Sequence, residues 1–401
     1  MSVLSSVGCA LSFTGTGERE EMTPSNDPSQ VYRSLGVRPI INAAGTTTLF
    51  GGTKTRPEAL EEMARAARVL VNLDELNVQA GKVIAELTGA EAGLVTNGAA
   101  AGLALQAAAC IAGSDKEKMA RLPDTEGMKN EIIIQRCHRF PYDQAYRLAG
   151  ARLVEVGDGR RCAPWQLEAA FTENTAAVSY LHANFVSRRA IPLEQVCEIA
   201  HARGVPVIVD GASMLPPREN LRKYIAQGAD MVIFSGGKGV KGPQGSGILC
   251  GRADLIEAAF ANASPHQFIG RSMKVAKEEV IGLLTALQIF MEEDEEEENA
   301  RYQAMMQRVV DALIEVPGLK VQVEHDGYDY TVPSARMNFT RDWTGPTPSE
   351  VFEEMASGEE PVYLSDLGNP DDLTVIPTNL DDEDVEKVIV RVREALLGGR
   401  G

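Results

Sequence analysis

The sequence predicts an α/β fold: a mostly parallel sheet with helices on both faces, followed by a smaller C-terminal α+β unit. Three observations carry this. Short apolar runs alternate with helical stretches from Ala92 to Phe234, the pattern of successive βα units. Asn97, His138, Asp210 and Lys238 each fall just past the end of such a run, where open α/β sheets gather ligands. Beyond about residue 300 that alternation gives way to a second set of helices and strands.

In chain order, residues 1–30 are rich in Ser, Thr, Gly, Pro and Glu without periodicity and read as a disordered tail. No signal peptide is expected there, and Met22 is a candidate start. Residues 31–60 read as an arm and site loop. Arg38-Pro39 favours extended backbone, and Ile40-Ile41-Asn42-Ala43-Ala44-Gly45 leads into Thr46-Thr47-Thr48 and Gly51-Gly52-Thr53, small polar residues suited to lining a site. A large domain is expected over 61–273. Helices read at 58–70 and 77–88, then a strand at 92–96 breaks at Asn97-Gly98 into an apolar, buried helix 99–112. Strands follow at 131–134, 153–156, 176–181, 207–209 and 231–234, with helices at 142–149, 164–171 and 192–203 between them. Residues 274–401 form the linking helix and small domain. The long helix from Lys274 carries Val275, Ile281, Leu284, Leu287 and Phe290 and ends in the acidic run Glu292–Glu298, read as a solvated face. Helices at 301–314, 349–356 and 381–397 and strands at 319–323, 335–340 and 372–376 complete it.

Composition excludes several classes. Across 401 residues the net charge is −18, which argues against a nucleic-acid partner or an anionic membrane surface. No apolar run approaches the roughly 18–20 residues of a membrane span. A soluble cytoplasmic protein is expected. Cys9, Cys110, Cys137, Cys162, Cys197 and Cys250 lack ligand spacing, so buried thiols are expected and no metal site.

The chemistry centres on Lys238, in the turn from Ser235 to Gly247 between the apolar runs 231–234 and 248–250. Desolvation there lowers the amine's pKa, and a neutral amine can attack a carbonyl. The turn is no P-loop, because neither Lys238 nor Lys241 is followed by Ser or Thr. Upstream, Val207-Ile208-Val209 ends in Asp210. Pyridoxal 5′-phosphate needs such a pair: an amine for its aldehyde and a carboxylate to keep its ring nitrogen protonated. Lys238 is preferred to Lys241 because Ser235, three residues before it, can face the same phosphate. Lys241 is a candidate second phosphate or substrate contact. Asn97, Gly98, Ala99 and Ala100 expose backbone N–H groups at a helix start, where a phosphate monoester binds. Ala212 or Ser213 can lie under the ring or by the phosphate. His138 is placed to stack on the ring, and His182 to reach substrate or the ring hydroxyl. His201, inside a helix, reads as structural.

These residues resemble the bacterial selenocysteine synthase (seryl-tRNA selenium transferase)-like family of fold-type I pyridoxal-phosphate enzymes. The matching stretches are Ile40–Thr46, Thr96–Ala101, Val207–Asp210, Ser235–Lys238 with Gly242-Pro243-Gln244, and Gly270–Val275. The resemblance spans roughly residues 31–300. It implies a mostly parallel seven-stranded sheet whose strand after Gly-Pro-Gln runs antiparallel. It also implies Lys238 as the residue bonding the coenzyme, Asp210 at the pyridine nitrogen, and a homodimer or higher homo-oligomer with sites at subunit interfaces. Relatives include D-glucosaminate-6-phosphate ammonia-lyase-like enzymes. The expected function is therefore an α,β-eliminating lyase on a small polar amino acid, phosphorylated or sugar-derived. Thr46, Thr47, Arg271, Lys274 and Arg336 are candidate substrate contacts. Aminotransferase, racemase and seryl-tRNA selenium transferase are the alternatives, and a non-catalytic binding protein would lack the lysine.

Overall fold

The computed structural model describes residues 27–183, 189–366 and 369–397. Most of the expected tail, residues 1–26, lies outside the described residues. The first strand, β1 (Ile41–Ala43), belongs to the arm. Seven more form one sheet: β2 (Ala92–Thr96), β3 (Glu131–Gln135), β4 (Arg152–Val156), β5 (Thr175–Leu181), β6 (Val207–Asp210), β7 (Met231–Ser235) and β8 (Gly247–Gly251). Their order is β2-β8-β7-β6-β5-β3-β4. The pairs β3–β4, β3–β5, β5–β6 and β6–β7 are parallel. β8 runs antiparallel to both β2 and β7. The predicted α/β class holds, and the antiparallel strand follows Gly-Pro-Gln as the resemblance implies.

The parity of each strand assigns its side chains to a face. Ile133, Val178, Val209, Val232 and Phe234 join the core on one side, and Ile132, Ile208, Met231, Ile233 and Leu249 join the other. Burial on both faces explains why these strands read as continuous apolar runs rather than alternating ones. The helix Gly98–Ala112 is apolar around most of its circumference and lies within the second core. The helix Lys277–Glu292 supplies Val280, Leu283 and Leu287 to the first.

The C-terminal unit contains β9 (Leu319–Glu324), β10 (Ser334–Phe339), β11 (Val362–Leu364) and β12 (Asp372–Val375). β12, β10 and β9 form an antiparallel sheet. β1 pairs in parallel with β11, Ile41 opposite Val362. Ile41 and Ala43 thereby enter a third core with Met306, Val309, Met337 and Val388. The arm is stitched to the far end of the chain, a pairing that no local period announces.

The linking region corrects the sequence reading. The helix expected from Lys274 through Glu298 stops at Glu292, as Lys277–Glu292, and the helix expected at 301–314 begins six residues earlier, as Glu295–Leu313. Asp294 accepts the N–H groups of Glu296 and Glu297 and so caps the second helix. Carboxylates crowd its first turn, where the helix dipole favours them. The acidic run is also not simply a solvated face. Glu293 pairs with Arg56, Glu298 with Lys241, and Glu295 accepts the backbone N–H of Arg218. Helices at Lys116–Arg121, Asn220–Ala226 and Ala253–Asn262 add to the predicted set. Among the described residues no helix is long and apolar enough to cross a membrane.

Candidate active site

β6 and β7 are adjacent and parallel, with Asp210 opposite Ile233. Their carboxyl ends therefore deliver Asp210 and the Lys238 turn to the same edge of the sheet. Both residues line one cavity of about 270 Å³, together with Thr46, Thr47, Ala212 and Ser213. Phe140, Tyr142 and Tyr330 form further parts of its wall.

The turn is held from within and from the arm. Gly236 N–H donates to Ser246 O, Gly242 N–H to Gly236 O and Lys241 N–H to Lys238 O, each at 2.8 Å. A Cβ at position 239 would collide with the carbonyl oxygen of Leu215, so the turn needs glycine there. Thr53 Oγ1 lies 3.1 Å from Gly237 O and 3.0 Å from Lys238 O. Arg56 donates from Nε to Val240 O and from its backbone N–H to Lys241 O, both at 3.0 Å. With its amide nitrogen turned toward them, Gln244 bridges Gly237 O and Gly51 O. The lysine's backbone is fixed by residues far away in sequence.

Burial sets the electrostatics. Asp210 is 8% exposed, and its Oδ1 accepts the Ala212 N–H at 3.0 Å. Burial raises its pKa, opposed by that N–H and by the Lys238 charge. For Lys238 burial lowers the amine's pKa, and Asp210 opposes it. Among the described residues Lys238 Nζ has no carboxylate within 4.0 Å. The arrangement leaves an amine that deprotonates readily beside a carboxylate lacking a cationic hydrogen-bond partner.

His138 ends a short 3-10 turn after β3 and is 1% exposed. Its Nδ1 accepts the Leu181 N–H at 3.3 Å, and its ring meets Tyr180 edge-on at 4.6 Å. Nε2 is buried without a partner. Burial, then the neighbouring His182, lowers its pKa to about 4, so the ring is neutral. It faces a small cavity of about 10 Å³ shared with Asp210, Asp143 and Tyr146. His138 thus shares this small cavity with Asp210 and is absent from the wall of the main one.

The remaining expected contacts divide. Thr46, Thr47 and Ser213 line the cavity. Thr96, Gly247 and Ser235 pair in one row, so the turn Asn97-Gly98-Ala99-Ala100 and Ser235 share its edge of the sheet without lining it. Asn97 Nδ2 donates to Lys274 O at 2.6 Å, which brings the Gly270–Lys274 segment to that turn, with Arg271 and Lys274 exposed. His182 instead packs against Tyr224 and Tyr328, at 4.8 and 5.3 Å, away from the cavity wall. Arg336 is bound to Asp372 through Nε at 2.8 Å and Nη2 at 2.6 Å, and lines a separate small pocket. Lys241 is committed to Glu298 at 2.8 Å and Tyr302 at 3.0 Å, so it is not a phosphate contact here. Sequence reasoning missed Tyr142, Tyr330, Arg56 and Asn379, and it placed Thr53 in the site loop without its hold on the Lys238 turn. The aromatic-rich loop Tyr328-Asp329-Tyr330 between two strands was a readable signal for one of them.

A lysine and a carboxylate on adjacent strand ends of this sheet define an enzyme of a widely shared fold. A cysteine desulfurase of Escherichia coli and a ureidoglycine-glyoxylate aminotransferase of Bacillus subtilis have the same fold, with TM-scores of 0.55 and 0.60 at 18% and 15% identity. More narrowly, the chain belongs to the L-seryl-tRNA selenium transferase family, whose profile matches residues 40–326. It is 35% identical over 381 residues to the 5′-C-glycyluridine monooxygenase-decarboxylase of a Streptomyces species, covering 92% of this chain and 93% of that one. It is 34% identical over 347 residues to the D-glucosaminate-6-phosphate ammonia lyase of Salmonella typhimurium, covering 85% and 89%. A solved D-glucosaminate-6-phosphate ammonia-lyase superposes with a TM-score of 0.81 at 32% identity, covering 95% of this chain and 100% of that one.

Proposed function

We propose that the protein is a pyridoxal 5′-phosphate-dependent lyase that eliminates across Cα and Cβ of a small polar amino acid on a sugar-derived skeleton and releases ammonia. The observation that carries this is the shared cavity of Lys238 and Asp210. The residues fit the coenzyme: among the described residues the amine for its aldehyde has no ion-pair partner, and the buried carboxylate for its ring nitrogen has only a backbone donor. The helix start at Gly98 offers N–H groups for its phosphate. When bound, the coenzyme supplies an electron sink conjugated to the substrate's Cα.

The chain's own residues do the rest. Asp210 would hold a proton on the coenzyme's ring nitrogen. Lys238 Nζ would hold the coenzyme's aldehyde and, when free, would take the proton from the substrate's Cα. Thr46, Thr47, Tyr142 and Tyr330 offer hydroxyls to a polyhydroxylated skeleton. Loss of a β-hydroxyl as water and uptake of one water balance the reaction, leaving a 2-oxo acid and ammonia. The names of both relatives that are a third identical support this substrate class, since each joins an amino acid to a sugar-derived skeleton.

The Streptomyces relative favours a second reading, oxidative decarboxylation, because its match covers more of the chain. Product analysis separates them. Ammonia and a 2-oxo acid formed without air support elimination, whereas dioxygen uptake with carbon dioxide release supports the second. A need for an oxo-acid co-substrate indicates transamination instead. The net charge of −18 argues against a transfer-RNA substrate. A cytoplasmic homo-oligomer belongs to this reading. It is supported by the apolar surface at Val69, Leu70 and Val71, where Leu70 is 90% exposed. Light scattering of the purified protein checks it.

A further inference from the structure

Lys241 shares the turn with Lys238, yet its chemistry is the opposite. Its Nζ donates to Glu298 Oε1 at 2.8 Å and to Tyr302 Oη at 3.0 Å. Tyr302 Oη in turn donates to the same carboxylate oxygen at 2.7 Å. Glu298 and Tyr302 belong to the helix Glu295–Leu313, whose Tyr302, Met305 and Met306 are part of the C-terminal core. That core also contains Ala335 and Met337 of β10, the strand that begins at Ser334 on the cavity wall.

The backbone gives an independent observation. Lys241 has φ +57°, and among the described residues it alone departs from glycine in that left-handed region. The same turn uses glycine at 236, 237, 239 and 242. Glycine at 241 would avoid the strain. A lysine kept in a strained position, with its ammonium fully engaged, indicates that the side chain is needed there. Arg56 adds a parallel tie. It joins Val240 O and Lys241 O to the Glu293 carboxylate at the junction before the same helix.

We propose that Lys241 is a positioning residue: with Glu298 and Tyr302 it locks the Lys238 turn to the C-terminal unit, so that the amine and the Ser334 side of the cavity move as one body. Burial disfavours charge on both partners, but Tyr302 and Glu298 hold the Lys241 ammonium protonated, and Lys241 holds the Glu298 carboxyl below its usual range. The ion triad therefore persists across the working pH range. The role of the amine rests on the lyase reading above; the lock itself does not.

The test uses Lys241→Met, Lys241→Arg and Glu298→Gln in the full-length holoenzyme. Hydrogen exchange of the 235–247 peptide is read alongside kcat and KM. In Lys241→Met and Glu298→Gln, exchange of that peptide rises and kcat falls by about 10²-fold, as displacement of a reacting group by about 1 Å does. KM stays within about threefold, and Lys241→Arg recovers most of both. Native exchange in the turn together with native kcat in Lys241→Met and Glu298→Gln overturns the proposal. So does loss of the native melting transition in both variants with no recovery by arginine, which makes the triad merely structural. Borohydride trapping of the coenzyme on the native protein is scored separately. Its failure removes the lyase reading and leaves the exchange result on the lock intact.

Discussion

Asn42 and Asn379 grip the same two carbonyls from opposite ends of the chain. Asn42 Nδ2 lies 3.0 Å from Gly45 O and 3.2 Å from Gly52 O, and Asn379 Nδ2 lies 2.9 Å from each. The loop between those glycines carries Thr46 and Thr47 into the cavity. Its shape is therefore set jointly by the arm and the C-terminal unit.

Asn379→Ala tests that relationship. Leaving buried carbonyls short of a donor costs about 1–3 kcal/mol. The expected result is a rise in substrate KM of about tenfold, with coenzyme absorbance unchanged. A fall in kcat at constant KM places the loop outside substrate binding.

The buried neutral His138 makes stability depend on pH. Its pKa of about 4 lies below the ordinary 6.5 of an unfolded histidine. The stability conferred by the neutral ring is therefore complete above 6.5 and is lost as the pH falls through 6.5 toward 4. At about 1.4 kcal/mol per unit, the loss is about 3 kcal/mol. His182 is lowered to about 4 as well, chiefly by burial, so His138→Asn removes only its own share. Urea melts between pH 7.5 and 4.5 are expected to show a shallower loss in the variant. Equal slopes contradict the assignment.

Local and distant information separate cleanly in this chain. Lys238 and Asp210 were legible because Asp210 ends a buried strand and Lys238 follows one by three residues, so that strand, turn and charged residue are contiguous. The sheet was legible for the same reason. Arg56 and Asn379 were not, since their partners sit on elements remote in sequence and both read as ordinary polar loop residues; Thr53 fell in the expected site loop, but its bond to the Lys238 turn was illegible for the same reason. His182 misled because a strand-end position does not fix which way a side chain points, and its ring turns into the Tyr224 and Tyr328 cluster. The acidic run misled because its charge pattern suits solvent, whereas Arg56, Arg218 and Lys241 arrive only with the tertiary fold.

In coenzyme-free protein the Lys238 amine should titrate below the ordinary 10.5, because burial opposes its charge. Asp210 holds it up in part, so Asp210→Asn moves the midpoint further down. The pH dependence of trinitrobenzenesulfonate labelling at Lys238, followed by peptide mapping, reports this. A midpoint that rises in the variant contradicts the coupling.

Asp210→Asn should also cripple turnover. Removing one member of a buried charge pair costs about 3–5 kcal/mol, which is about 10²–10⁴-fold in rate. The variant should still bond the coenzyme at Lys238. Turnover within about threefold of native means that Asp210 does not hold the ring nitrogen.

The most direct measurement is covalent. The protein is mixed with pyridoxal 5′-phosphate, reduced with borohydride, digested and mapped by mass spectrometry. The account predicts a visible absorbance band that disappears on reduction, and a phosphopyridoxyl group on Lys238 that is missing from Lys238→Ala. Label on Lys241 or scattered over surface lysines, with no band before reduction, would contradict it.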